Sequence, residues 1–185
     1  MRTLYLIRHA KSAWSEPNIS DFERSVSKKG KKDINTIGSY LSLVGIKPQL
    51  ILSSCALRAQ ETSDLLSKKI NFTGERHYLR ELYLTSVEVI KEIISIQDDT
   101  IDSIFLIGHN PQLHELANSM IGEHISKFPS LGIIAIEFEM DSWSDLDNNE
   151  GKIDFFIFPK QFKYYMPKQI RTALKSTIKV KNAKN

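Results

Sequence analysis

The sequence holds a single cysteine, Cys55, and no Cys/His grouping at zinc-ligand spacing, which excludes an internal disulfide framework and a structural zinc site. No metal and no cofactor is expected. Long apolar runs are also missing: nothing approaches the roughly 20 residues that cross a bilayer, so no membrane association is expected. Residues 1–7 are basic and then apolar, but the run is too short for a signal peptide and meets Arg8-His9 at once, so it is expected to be a first strand. A reduced, cytoplasmic setting is inferred from the lone cysteine. Strong charge bias is absent as well. With 25 Lys and Arg against 22 Asp and Glu the net charge is only +3, and the basic residues are spread along the chain, so nucleic acid is not an expected partner. Lys168, Arg171, Lys175, Lys179, Lys181 and Lys184 gather at the end, where a solvated helix running into a frayed terminus is the expected form. No repeat, linker or low-complexity tract interrupts the 185 residues. One domain over residues 1–178 is expected, with a basic C-terminal tail at 179–185; the oligomeric state is not legible.

What is present is an alternation. Short β-branched or aromatic runs at residues 4–7, 50–52, 104–107, 133–138 and 153–158 read as strands. Apolar residues at helical spacing separate them: Ile34, Ile37, Leu41 and Val44; Leu65, Leu66 and Ile70; Val87, Ile90 and Ile94; Leu113, Leu116 and Met120. The pattern predicts an α/β fold, a doubly wound three-layer α/β/α sandwich with a mostly parallel sheet. The last two strands are expected to form an antiparallel hairpin around a solvated acidic turn containing Asp141, Asp145 and Asp147. Ser27 is placed to cap a helix that Gly45 ends, and Asn110-Pro111 reads as a cap followed by a first-turn proline. About 50 residues separate Arg58 from His109, enough for a strand and a helix but not for a sizeable cap subdomain.

The reactive residues follow strands. Arg8 and His9 come after the first, Arg58 after the second, and His109 after the run ending at Ile107. In an open parallel sheet those strand ends share one edge and converge on a crevice. Two of these segments also open helices, whose free N–H groups favour an anion. Arginine's planar fork suits phosphate oxygens, and imidazole is a nucleophile or donor near neutral pH, so the constellation describes a phosphate pocket.

Leu6-Ile7-Arg8-His9-Ala10-Lys11-Ser12, Ser53-Ser54-Cys55-Ala56-Leu57-Arg58-Ala59-Gln60-Glu61-Thr62 and Ile107-Gly108-His109-Asn110-Pro111, in that order, resemble the three signatures of the histidine phosphatase superfamily, the phosphoglycerate-mutase-like proteins. Asp21-Phe22-Glu23-Arg24 followed by Ser27-Lys28-Lys29-Gly30, and alanine rather than glycine after His9, further resemble its SixA-type phosphohistidine phosphatase branch. The likeness covers the chain through about Gly122. It implies that His9 attacks phosphorus, that Arg8 and Arg58 bind the equatorial oxygens, and that His109 donates a hydrogen bond, with Asn110 beside it. Arg24 aligns with a branch arginine that closes over the pocket, although Ser25-Val26 replaces the Pro-Leu usual after it. Glu81 falls where many members keep an acid that protonates an alcohol leaving group, and is kept open between that role and an exposed charge.

The implied activity is a metal-independent phosphatase acting on a phosphohistidine-bearing protein. The alternatives are a small phosphate-ester phosphatase using Glu81 as general acid, and a non-catalytic module that binds phosphorylated ligands. Cys55 lacks the glycine-rich loop ending in arginine of a thiolate phosphatase and is expected to be a small buried residue. His77, His114 and His124 have no companions at ligand spacing. Lys11, Ser12 and Trp14 are candidates for the pocket rim.

Overall fold

Six strands and five helices follow one another in a computed structural model that describes residues 1–13 and 19–164. The strands are β1 (Arg2–Arg8), β2 (Leu50–Ser54), β3 (Glu75–Leu79), β4 (Ser103–Gly108), β5 (Ile133–Phe138) and β6 (Lys152–Ile157); the helices are α1 (Lys28–Leu43), α2 (Leu57–Ile70), α3 (Val87–Ser95), α4 (Gln112–Met120) and α5 (Pro159–Tyr164). They build one sheet in the order β3-β2-β4-β1-β5-β6. The first four of these pair in parallel, β5 runs antiparallel to β1, and β6 antiparallel to β5. The expected sandwich with its antiparallel C-terminal pair is what forms.

The central strands read as unbroken apolar runs because both faces are covered. On one face Leu4, Leu6, Leu52 and Leu106 pack beneath Ile90 and Ile94 of α3 and Leu113 and Leu116 of α4. On the other, Ile7, Ile51, Phe105 and Ile107 pack beneath Ile34, Ile37 and Leu41 of α1 and Leu66 and Ile70 of α2. Ser27 caps α1 as expected, its side chain accepting from the Gly30 amide at 3.0 Å, and Gly45 leaves that helix at φ +77°, a conformation glycine adopts without strain. The stretch between Arg58 and His109 is spent on α2, β3, a short 3-10 turn, α3 and β4, so among the described residues it contributes no cap over the C-terminal edge of the sheet.

Four expectations are corrected. β3 is a strand that apolar patterning misses, because it lies at the sheet edge with Glu75, Arg76, His77 and Tyr78 exposed and is held by backbone pairing to β2. The acidic turn is not merely solvated: residues 143–148 form a short 3-10 helix whose Trp143 and Leu146 are buried. There the Trp143 indole donates to Ile101 O at 2.7 Å and its ring faces the guanidinium of buried Arg2 at 5.6 Å. Asn110 does not cap α4; Pro111 stands at the cap position, and the Asn110 amide is drawn away to donate to Phe128 O at 2.9 Å. Cys55 is half-buried rather than fully enclosed, since it sits in the turn between β2 and α2. The domain boundary at 178 and the tail at 179–185 lie outside the described residues.

Candidate active site

Register places the reactive pair. Arg8 on β1 lies level with Gly108 on neighbouring β4, and the His9 amide donates to Gly108 O at 3.0 Å, so His9 and His109 leave adjacent strand ends side by side. Their ring centroids are 5.0 Å apart. Arg58 reaches them from the first turn of α2: its Nε donates to His9 Nε2 at 3.2 Å and its Nη2 lies 3.2 Å from His109 Nδ1. Thr62, one turn further along α2, accepts from the Ala10 amide at 3.0 Å and donates to Arg58 O at 2.6 Å, tying the loop after His9 to the helix that carries Arg58.

The contacts fix a tautomer for His9. Its Nδ1 lies 2.8 Å from Ala10 O, and a carbonyl only accepts, so Nδ1 carries the hydrogen and Nε2 keeps its lone pair. Burial, reinforced by the charges of Arg58, Arg8 and Arg24, lowers the His9 pKa to about 4 in spite of the Ala10 hydrogen bond, which raises it. Burial also lowers His109 to about 3, helped by His9 and by Arg58. Both rings are therefore neutral at pH 7. His109 Nδ1 faces Arg58 Nη2, which only donates, so the His109 hydrogen sits on Nε2 and is donated to Ser54 Oγ at 2.8 Å; a hydroxyl also donates, so Ser54 can meet the other tautomer when Arg58 is drawn away. Arg8 binds Phe128 O through Nη1 at 2.9 Å. Its Nε, and Asn110 Oδ1, are buried without a hydrogen-bond partner among the described residues, polar capacity that an incoming ligand can use.

Of the residues expected at the site, His9, Arg8, Arg58 and His109 are brought together, and Asn110 joins Arg8 on the same Phe128 carbonyl. Arg24 stands at the rim, donating to Ala13 O at 3.1 Å, Ser12 Oγ at 2.7 Å and Asp21 Oδ1 at 2.8 Å, and its charge is felt by His9. Glu81 is exposed on the short 3-10 helix after β3 and makes no hydrogen bond or ion pair among the described residues. Ser12 is buried against Arg24, Lys11 is exposed, and Trp14 lies outside the described residues. His77 and His124 are exposed, His114 sits 2.5 Å from Ile125 O, and no cluster of three or more metal-ligating side chains occurs among the described residues.

Two residues at the site were not singled out by sequence reasoning. Asp21, from a 3-10 turn ahead of α1, lays its carboxylate on the pocket's arginines: Oδ2 accepts from Arg58 Nη2 at 2.9 Å, Oδ1 from Arg24, and its main-chain carbonyl from Arg58 Nη1. Burial pushes the Asp21 carboxyl up, but hydrogen bonds from Arg24, Tyr83 and Arg58 and the charge of Arg58 outweigh it and hold the group below its ordinary range. Tyr83 donates to Asp21 Oδ2 at 3.1 Å and sets its ring edge against His109 at 5.5 Å. The only signal for Asp21 was its place in Asp21-Phe22-Glu23-Arg24; Tyr83 had none.

A neutral imidazole whose Nε2 lone pair is held only by a hydrogen bond from Arg58, ringed by two guanidiniums and a second imidazole and partly exposed, can take up a phosphoryl group and stabilise its charge. Comparisons with known proteins agree. The family model described as histidine phosphatase superfamily (branch 1) matches residues 4–103. An uncharacterized chloroplastic protein of Arabidopsis thaliana is 31% identical over 153 residues, which cover 78% of this chain and 70% of that one. Among solved structures, a putative phosphohistidine phosphatase SixA from Agrobacterium tumefaciens is 28% identical with a TM-score of 0.74, over 84% of this chain and 97% of that one. The protein histidine phosphatase SixA complexed with tungstate shares the fold at 18% identity and a TM-score of 0.74, over 86% of this chain and 98% of that one.

Proposed function

The chain belongs to the histidine phosphatase superfamily, branch 1, and is a phosphatase, and from that premise we propose that it removes phosphoryl groups from phosphohistidine on a protein through a covalent intermediate on His9. In the first step His9 Nε2 attacks phosphorus, the substrate's P–N bond breaks, and its electron pair leaves with the substrate imidazole. Arg8 and Arg58 hold the equatorial oxygens, and His109, its hydrogen moved to Nδ1 while the Ser54 hydroxyl donates to Nε2, donates to the transferring group. Water then cleaves the phosphorus–Nε2 bond and inorganic phosphate leaves.

The observation that carries this reading is that the carboxylate found at the pocket among the described residues, Asp21, is paired with two arginines and kept ionised. Glu81 is exposed and makes no hydrogen bond or ion pair among the described residues. An alkoxide needs a proton to leave, whereas a phosphorylated imidazole protonates beforehand and departs neutral. The lack of a cap over the sheet edge among the described residues suits a phosphate borne on a protein, and the likeness to the Agrobacterium structure supports the same substrate class.

The test pairs two substrates with a trapping experiment. A peptide carrying radiolabelled phosphohistidine should be turned over much faster than phenyl phosphate, and brief incubation should leave acid-labile, alkali-stable label on the wild type and none on His9→Ala. Faster ester cleavage would favour the small-molecule phosphatase with Glu81 as acid. Tight binding of the peptide without release of phosphate would favour a non-catalytic binding module.

A further inference from the structure

The resting site pairs its key arginine with a carboxylate. Arg58 spends Nη1 and Nη2 on the carbonyl and carboxylate of Asp21, leaving Nε on His9 Nε2 at 3.2 Å. A phosphoryl group transferred to Nε2 brings oxygens to that same guanidinium. A carboxylate and a phosphoryl anion repel each other, and the dianion is the stronger acceptor of Arg58's fork. Arrival of phosphate therefore turns Asp21 loose from Arg58 while Tyr83 Oη, at 3.1 Å, and Arg24 Nη1, at 2.8 Å, still hold it beside the pocket.

We propose that Asp21 is the general base of the hydrolytic half-reaction, taking the proton of the water that attacks the phosphoryl group on His9. The proposal rests on the His9 route above. The water oxygen bonds to phosphorus, the phosphorus–Nε2 bond breaks with its electrons returning to Nε2, the proton passes to Asp21 Oδ2, and inorganic phosphate departs. Asp21 then loses the proton to solvent and pairs with Arg58 again.

Three observations converge on this residue. Asp21 and His9 Nε2 are bonded to the same guanidinium, that of Arg58, so a phosphoryl group on Nε2 that binds Arg58 lies next to the carboxylate. The side chain is half exposed, 50%, so water reaches it without any opening of the fold. Its direction is fixed by Tyr83, whose ring also packs on His109. The hydrogen bonds and charge of Arg58 are part of what holds its basicity down at rest, and they are drawn off when phosphate claims the guanidinium, so the carboxylate becomes a better base at the step that uses it.

The experiment is rapid-quench kinetics of Asp21→Asn on the radiolabelled phosphohistidine peptide, following label on the enzyme and free phosphate separately. Asparagine keeps the main-chain carbonyl that binds Arg58. Label should appear on the variant no more slowly than on the wild type and decay on the order of 10²-fold more slowly, so that phosphoenzyme accumulates. The acid limb in the pH profile of phosphoenzyme decay should vanish with it, and Asp21→Glu should restore part of the decay. Wild-type decay in Asp21→Asn overturns the proposal. Equal slowing of labelling and decay overturns it too, leaving Asp21 as a residue that only positions Arg58. A wild type that is never labelled sinks the His9 route itself, a result distinct from either.

Discussion

Lowering the pH from 7 to 5 should destabilise this fold through its two site histidines, and the size of the effect follows from their surroundings. His9 and His109 are neutral in the native state, with pKa values lowered to about 4 and about 3, chiefly by burial. In the unfolded chain a histidine titrates near 6.5. Between those values the unfolded chain binds more protons, so stability rises with pH and is lost as pH falls through about 6.5 toward 4. For one histidine that stays neutral in the fold, the loss between pH 7 and pH 5 is about 2 kcal/mol. His109 is only 7% exposed, so the full amount applies to it; His9 is more open and contributes less. Against a typical stability of about 5–15 kcal/mol this is readily measured. Urea unfolding of the wild type and of His109→Gln at both pH values isolates the term, because carboxylate contributions are common to both proteins and cancel in the difference. The glutamine retains an amide to meet Ser54. The variant should lose about 2 kcal/mol less than the wild type on acidification. Equal losses in the two proteins would refute the claim that His109 is held neutral by its site.

Two further expectations concern the carboxylates. Glu81→Gln should change turnover of the phosphohistidine peptide by no more than about twofold, since an exposed side chain without a partner is given no proton-transfer role; a drop of roughly 10²-fold would assign it the acid. Asp21→Asn should make inorganic phosphate a tighter competitive inhibitor. Opposite charges about 4 Å apart attract by about 1–4 kcal/mol in polar surroundings, and the half exposure of Asp21 argues for the lower end, or roughly fivefold in the inhibition constant, fading as salt is raised. Unchanged or weaker inhibition would mean that Asp21 and phosphate do not compete for Arg58.

The layers of the fold were legible because the buried strands are written in β-branched and aromatic residues with no polar alternation. Runs such as Ile104-Phe105-Leu106-Ile107 can only lie between two covered faces. β3 was not legible for the converse reason. As an edge strand it contributes little to the core, and Glu75-Arg76-His77-Tyr78 is held in place by hydrogen bonds to β2 that leave no apolar trace. Trp143 was missed because a single buried ring inside an acidic segment carries no periodicity. It packs into the core cluster of distant apolar residues, and the guanidinium it faces, that of Arg2, lies at the other end of the described chain.

The site divides along a similar line. His9, Arg58 and His109 could be placed together from sequence because each comes off the end of a strand, and parallel strands bring those ends to one edge. Asp21 and Tyr83 sit on connecting segments, one before α1 and one between β3 and α3, that meet over the pocket, and nothing in their spacing encodes that meeting. Charge balance in the pocket nonetheless calls for such a residue. Arg8, Arg24 and Arg58 converge where both histidines are neutral, and without phosphate three nearby cations repel one another unless a carboxylate stands among them. Asp21 meets that need at rest. On the proposed route the counter-ion of these arginines is also the group that phosphate displaces, which would leave an ionised carboxylate beside the phosphorylated His9.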